Sequence, residues 1–250
     1  MTSSSRPAYA PAAPAPLEVG DAIDLLALVA QLEHTAFVRM AADSSLAPTL
    51  EQRLELSRLA ADAVARRDRV LVRVQELGGD PVAALRQYDD VLDEFDARTQ
   101  PSTWWERLLK VYVGYGVADD FCRLAAEALD PQSRELVLAV LDDASHAELA
   151  VAELDAAGAE DGALSSRLAL WGRRIVGEAL GVVQGLLSQR PPIARLVQRA
   201  QRARAEAAAV PEPASGQGAA EVPTSVEGAK VFGELTAQHT RRMSRLGLTA

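Results

Sequence analysis

The chain has 250 residues, of which 48% are hydrophobic and only 4% aromatic, and its net charge is −9. This length is sufficient for a sizeable buried core. The scarcity of aromatic residues favours helices over strands, and the acidic balance argues against a nucleic-acid surface over the whole protein.

The first two helices are predicted from periodicity and capping signals. Residues 1–17 are rich in Ser, Ala and Pro, and we expect them to be disordered because they lack apolar surface to bury. A long helix then begins near Glu18 and runs to about Ser44. Thr49 and Gln52 form a T-x-x-Q capping box that opens the second helix, which ends at the Gly78-Gly79 pair.

Proline positions mark the next three segments. Asp80-Pro81 opens a short, acidic, partly helical connection, and Pro101-Ser102 opens a third long helix that ends near Leu129. Asp130-Pro131 repeats the cap-and-proline pattern at the start of the fourth long helix, which is predicted to end near Ala157. Long helices with short connections pack as an antiparallel bundle, so the predicted fold class is an all-α four-helix bundle.

Additional helices follow the bundle. They are predicted over residues 163–189, 193–209 and 227–246, with a Pro/Gly/Ser-rich segment over 210–226. The predicted organisation is a tail over 1–17, a helical bundle with a C-terminal extension over 18–209, a flexible linker over 210–226 and a C-terminal amphipathic helix over 227–250. The single cysteine suits a reducing compartment, and we find neither a signal peptide nor an apolar run near the roughly 18 residues of a membrane span. A cytoplasmic protein is therefore expected.

Glu33 interrupts the apolar stripe of the first helix. Leu26, Val29, Phe37 and Met40 follow the spacing of a buried face, and Glu33 lies in its centre. Two interpretations stay open: a partly exposed carboxylate at a bundle edge, or an inward carboxylate that binds a metal ion or a cation.

The fourth helix carries Asp143 and, three residues later, His146. A carboxylate followed by histidine at this spacing is the ligand pair of carboxylate-bridged helical bundles. The same pair also occurs by chance on the surface of many helices, so the pattern alone does not decide.

The second and third helices differ in what they offer to such a site. Where a second carboxylate-x-x-His pair is expected, the second helix has Ala63 and Arg66. On the third helix, Asp119 and Asp120 lie on adjoining faces, and periodicity does not choose which one points inward. Tyr115, one turn before Asp119, is interpreted as a core residue.

Five segments together resemble one known family. They are LEHTAFVRMAADSSLAPTL (32–50), LKVYVGYGVADDF (109–121), LDPQSRELVLAVLDDASHAELAVAEL (129–154), RLALWGRRIVGEAL (167–180) and AQHTRRMSRLGL (237–248). The chain resembles the actinobacterial ferritin-like proteins related to the tRNA hydroxylase that acts on 2-methylthio-N6-isopentenyladenosine. The resemblance covers about residues 22–190 and returns at the C-terminus.

This resemblance implies a ferritin-like bundle, a di-iron carboxylate site like that of bacterioferritin-type proteins, iron as cofactor and tRNA as partner. Glu33 matches the family's ligand on the first helix, and Asp143 with His146 matches the pair on the fourth. The carboxylate expected on the third helix falls on Tyr115, and Asp119 or Asp120 would replace it one turn later.

The chain departs from the family at the second helix, where the Glu-x-x-His pair falls on Ala63 and Arg66. The chain has three histidines, of which His146 alone suits the site, so we expect partial or absent iron and little or no di-iron oxygenase activity. One hypothesis is that Arg66 supplies a fixed cation in place of metal; the alternative is that it reaches the bundle surface. A third possibility is a single ion held by Glu33, Asp143 and His146.

Positive charge is concentrated in residues 162–205, which carry eight Arg and one acidic residue, Glu178. The net charge of this segment is +7, which leaves −16 for the rest of the chain. It either forms an RNA surface or, as we favour, docks against the acidic residues near Asp89 to Glu94. The last helix is expected to pack on the bundle or on a second subunit, as in a homodimer, and a non-catalytic interaction or RNA-associated role stays open beside the enzymatic one.

Overall fold

The computed structural model describes residues 18–142, 145–208 and 224–249. The predicted N-terminal tail, most of the predicted linker and Asp143 lie outside the described residues, and so does the side chain of His146. The described part of the chain is helical and contains no strand, which confirms the all-α prediction.

Eleven helices and one π-helical segment make up the described part. They are α1 (Val19–Ser44), α2 (Leu50–Glu76), α3 (Pro81–Arg86), α4 (Asp93–Arg98), α5 (Trp104–Lys110), the π-segment (Val111–Tyr115), α6 (Gly116–Ala126), α7 (Pro131–Leu141), α8 (Ser145–Glu160), α9 (Gly162–Gln189), α10 (Pro191–Ala208) and α11 (Thr224–Arg245). The predicted third helix is thus the continuous run from α5 through α6.

The predicted fourth helix is two helices, α7 and α8, and this corrects the expectation of one uninterrupted helix. Asp142 lies in a turn after α7. The guanidinium of Arg123 on α6 donates hydrogen bonds to the Leu141 carbonyl oxygen and to the Asp142 carboxylate. The carbonyl at the end of α7 is therefore bonded to a side chain, as is common for the unpaired carbonyls at helix ends.

The predicted capping signals explain where α2, α3 and α7 begin. Thr49 Oγ1 accepts from the Gln52 backbone N–H at 3.2 Å, and Gln52 Oε1 accepts from the Thr49 N–H at 3.2 Å. Asp80 caps α3 and Asp130 caps α7 through backbone N–H groups at 2.7 and 3.0 Å. Gly78, with a φ of 85°, ends α2 in the left-handed conformation that glycine adopts readily.

Helix α1 is the central helix of the bundle. It packs along α2 and also contacts α6, α7 and α10, so the run from Leu25 to Ala30 is completely buried. By length and composition α1 would also be able to cross a membrane, which the sequence analysis did not anticipate. In the structure, 56% of its most apolar window is buried against the rest of the chain, as in a core helix.

Helix α11 packs on α6 and α9 of its own chain. Its apolar residues Val231, Leu235 and Met243 are buried. Gly172 of α9 makes this docking close, because a Cβ at that position would lie 2.5 Å from the Met243 Cε. The C-terminal helix is therefore part of the intramolecular core.

Arginines of α10 dock this helix onto the bundle. Arg195 pairs with the buried carboxylate of Asp21 on α1, and Arg204 pairs with Glu127 and with Glu234 of α11. The expectation of docking thus has contacts to support it, but these two arginines bind partners other than the predicted acidic residues 89–94.

Candidate functional site

An ion pair between α1 and α2 lies at the centre of the bundle. Arg66 Nε donates to Glu33 Oε2 at 2.9 Å, and the two side chains are only 11% and 12% exposed. Both residues lie on the inward stripes that periodicity predicts, and Arg66 points into the bundle rather than out to its surface. A guanidinium in this position gives Glu33 a charge-assisted partner.

A small cavity of about 30 Å³ adjoins this ion pair, between α1, α2, the π-segment, α6 and α7. Its polar lining residues are Glu33, Arg39, Arg66, Tyr115 and Asp119. A polar cavity of this size has room for about one or two water molecules. The space among the described lining residues is therefore small, and several of the groups that line it are charged.

Asp119 contributes a carboxyl group with an unusual pKa. Burial, together with the negative charge of Glu33, raises the pKa of Asp119 to about 7, while Arg123 and Arg242 oppose the shift. At neutral pH the carboxyl group of Asp119 is therefore only partly ionised.

Tyr115 ends the π-segment and forms another wall of the cavity. Its hydroxyl is buried and has no hydrogen-bond partner within the described ranges, and burial raises its pKa. The Arg39 guanidinium carbon lies 6.0 Å from the centre of its ring. Single π-helical turns inside α-helices are frequent at functional sites.

Asp120 is not part of this cavity. It forms an ion pair of 2.7 Å with Arg242 of α11, and both side chains are mostly buried. Gly116 permits this approach, because a Cβ there would overlap the Arg242 guanidinium. Of the two aspartates that the sequence left open, the structure therefore places Asp119 in the central pocket and Asp120 at the α6–α11 contact.

The histidines are distributed over different parts of the molecule. His34 Nδ1 lies 3.1 Å from a guanidinium nitrogen of Arg67, and His239 is buried in α11. Asp143 and the His146 side chain lie outside the described residues, so their place at the site stays a prediction.

The described donors do not fit a di-iron centre. Helix α2 offers Ala63 and Arg66 at the positions of the second ligand pair, and the Arg66 cation already binds the Glu33 carboxylate. Over residues 18–142, 145–208 and 224–249, no three His, Cys, Asp or Glu side chains are grouped so as to hold a metal ion. Among the described residues, the site has the donors of an ion-pair network.

A second buried cationic group, Lys110, lies beside this pocket and was not predicted from the sequence. Lys110 Nζ donates to the Thr99 carbonyl oxygen at 2.8 Å and lies 3.1 Å from Asp96, which also pairs with Arg39. Tyr115 could have been placed at the pocket from its i,i+4 spacing to Asp119. Arg39 lies outside the apolar stripe that contains Glu33, so periodicity did not predict that Arg39 lines this pocket.

Comparison with known proteins identifies the family. The family model described as "Ferritin-like domain, actinomycetes" matches residues 19–200, which include α1 to α9 and the first half of α10. No curated protein matches the chain significantly. The matched region covers most of the chain and contains Glu33, Arg66 and Asp119, and the protein belongs to the actinomycete family of ferritin-like domains.

Proposed function

We propose that this protein is a non-catalytic relative of the tRNA hydroxylase-like ferritin-like proteins, in which the Arg66 cation replaces iron. The observation that carries the proposal is the 2.9 Å contact between Arg66 Nε and Glu33 Oε2 in the middle of the bundle. Its function is then that of a binding or structural bundle that acts through other surfaces and pockets.

Charge balance supports this proposal. Two iron ions carry a total charge of +4 or more and need several carboxylates with two histidines from opposed helices. Here Glu33 faces Arg66, and Asp119, with its pKa near 7, is only partly ionised at neutral pH. Among the described lining residues, the carboxylate of Glu33 is thus already paired with a cation.

The environment of Ala63 also supports the proposal that this protein has no di-iron centre. Ala63 is completely buried and belongs to a small apolar cluster with Met40, Leu59 and Ala60. A methyl group at this point supplies no ligand, and the cluster fills the space with packed carbon. We therefore expect purified protein to contain well below one iron per chain.

Metal content tests the proposal directly. The protein is expressed with added iron, and bound iron is measured by mass spectrometry together with oxygen consumption. Low iron and no oxygen consumption are expected. One or two stoichiometric metal ions per chain would contradict the proposal, one ion pointing to a site of Glu33, Asp143 and His146 and two pointing to a di-iron centre.

A double variant makes the test independent of expression conditions. Ala63→Glu with Arg66→His restores the family's ligand pair on α2, and we expect it to raise the iron content above that of the wild type. Ala65→Glu with Asp68→His creates the same spacing at two exposed positions of α2 and serves as the matched control. Equal iron content in the two double variants would contradict the assigned inward position of Ala63 and Arg66.

A further inference from the structure

Two adjoining cavities lie on the side of Tyr115 away from the Glu33–Arg66 pair. The inner cavity, of about 40 Å³, is almost entirely apolar and is lined by α1, the segment 91–95, α6 and α9, with Tyr115 in its wall. The outer cavity, of about 320 Å³, opens to solvent between α9 and the segment 90–98. Four side chains line both cavities: Val91, Phe95, Val182 and Leu186.

Their sizes and linings differ in a way that suits an amphipathic molecule. The outer volume is within the range of small-molecule sites, which begins at about 300 Å³. The inner cavity is lined by residues such as Leu28, Phe121 and Val183, and apolar cavities of this kind stay dry and accept apolar atoms. An apolar chain would lie inward and a polar group would lie at the mouth.

Glycines keep the outer cavity open. Gly181 and Gly185 of α9 line it one helical turn apart, although each glycine inside a helix costs about 1 kcal/mol relative to alanine. A Cβ at either position would meet no atom within 4 Å, so packing within the chain does not require glycine there. Without side chains at Gly181 and Gly185, the outer cavity keeps more free volume.

The charge at the mouth is negative. Asp90, Glu94 and Glu178 face Arg98 and Arg190 around the opening. Arg98 already pairs with Glu94 and with Glu178, and Arg190 donates to the Gln87 carbonyl oxygen and lies 4.6 Å from the centre of the Tyr88 ring. The opening therefore has three carboxylates and two guanidinium groups, a net charge of −1. Such an opening attracts a ligand with a cationic head group.

We propose that the two cavities form one binding site for a small aliphatic amine, with the alkyl chain along the shared apolar wall, its last carbons entering the inner cavity, and the ammonium group near Asp90. The shared wall of Val91, Phe95, Val182 and Leu186 lies along the chain. This site goes beyond the proposed loss of iron at Glu33 and Arg66, and its test does not depend on metal content.

Calorimetric titration with n-hexylamine, n-butylamine, hexanol and hexanoate at low salt tests the site. Hexylamine is expected to bind about tenfold more tightly than butylamine, since each buried CH₂ contributes about 0.8 kcal/mol. It is also expected to bind more tightly than hexanol or hexanoate. No saturable binding of hexylamine, or equal binding of hexylamine and hexanoate, would overturn the proposal.

Matched variants separate binding from stability. Gly185→Leu fills the outer cavity, whereas Gly177→Leu places the same side chain at an exposed position of α9 outside the lining. Both variants are expected to fold at least as well as the wild type, but only Gly185→Leu is expected to lose hexylamine binding. Asp90→Asn is expected to weaken hexylamine about tenfold and to leave hexanol unchanged. Equal binding by the two leucine variants would contradict the assigned position.

Discussion

Arg66 and Glu33 show what a buried ion pair does for a helical bundle. Removing two charges from water costs several kcal/mol per ion, and their attraction roughly offsets this cost. The pair therefore adds little net free energy of folding. Its larger effect is that removal of either partner leaves the other charge without this contact at a buried position between α1 and α2.

Replacing Arg66 by Ala is expected to lower the free energy of unfolding by about 3 kcal/mol, because it leaves Glu33 buried without its guanidinium partner. Arg58→Ala, which removes an arginine that is 55% exposed on the same helix, is expected to cost less than about 1 kcal/mol. Urea denaturation monitored by circular dichroism measures both. Equal losses for the two variants would show that Arg66 is not held in the interior.

The sequence predicted part of this pocket and left part of it open. Glu33 and Arg66 lie on clear helical stripes, but periodicity left open whether their side chains point inward or reach the bundle surface, and the contact between them decides it. Asp119 and Asp120 are neighbours in the chain, and the choice between them depends on Arg242, more than 100 residues later, which binds Asp120. Because these two residues are far apart in the sequence, no local pattern around Asp120 predicts their contact.

At the scale of the helix, the start positions were the most predictable feature. Thr49, Asp80 and Asp130 bond to backbone N–H groups within three residues, so their effect is local. The π-segment was not predictable. It lies where Gly114 meets Phe95 of α4, and a Cβ on Gly114 would lie 2.9 Å from the Phe95 Cζ. This approach depends on how two distant segments pack.

Helix α11 docks with a histidine buried inside the contact. His239 is 3% exposed, and neither ring nitrogen has a hydrogen-bond partner among the residues described. Burial, together with the positive charge of Arg242, lowers the pKa of His239. The folded protein therefore holds this histidine in its neutral form.

The contribution of His239 to the stability of the protein is expected to fall as the pH drops below about 6.5, the ordinary pKa of histidine, whereas Asp119, with its raised pKa, contributes with the opposite sign. Below that pH the unfolded chain binds a proton at His239 that the folded chain resists, so unfolding gains up to about 1.4 kcal/mol per pH unit. Urea denaturation between about pH 7.5 and pH 5 measures the free energy of unfolding. His239→Gln is expected to lose less of this free energy on acidification than the wild type, whereas His34→Gln retains His239 and its contribution. Equal slopes for His239→Gln and the wild type would contradict this role.

At the scale of the whole molecule, arginines of the basic segment 162–205 pair with carboxylates from other parts of the chain. Residues 162–205 carry a net charge of +7, and two of their arginines, Arg195 and Arg204, are bound to carboxylates of α1, α6 and α11. Sequence composition predicted the docking in general terms. It did not predict the partners, because they are set by how α10 crosses the bundle.

We expect this arrangement to disfavour tRNA binding through Arg195 and Arg204. Phosphate binding releases counterions, but arginines that already hold carboxylates would first have to break those pairs. We expect no shift of tRNA in a gel assay with micromolar protein at about 50 mM salt, where electrostatic binding is strong. Arg195→Ala is expected to lower the stability of the protein without changing this result. A shift that weakens steeply with added salt would instead assign residues 162–205 to an RNA surface.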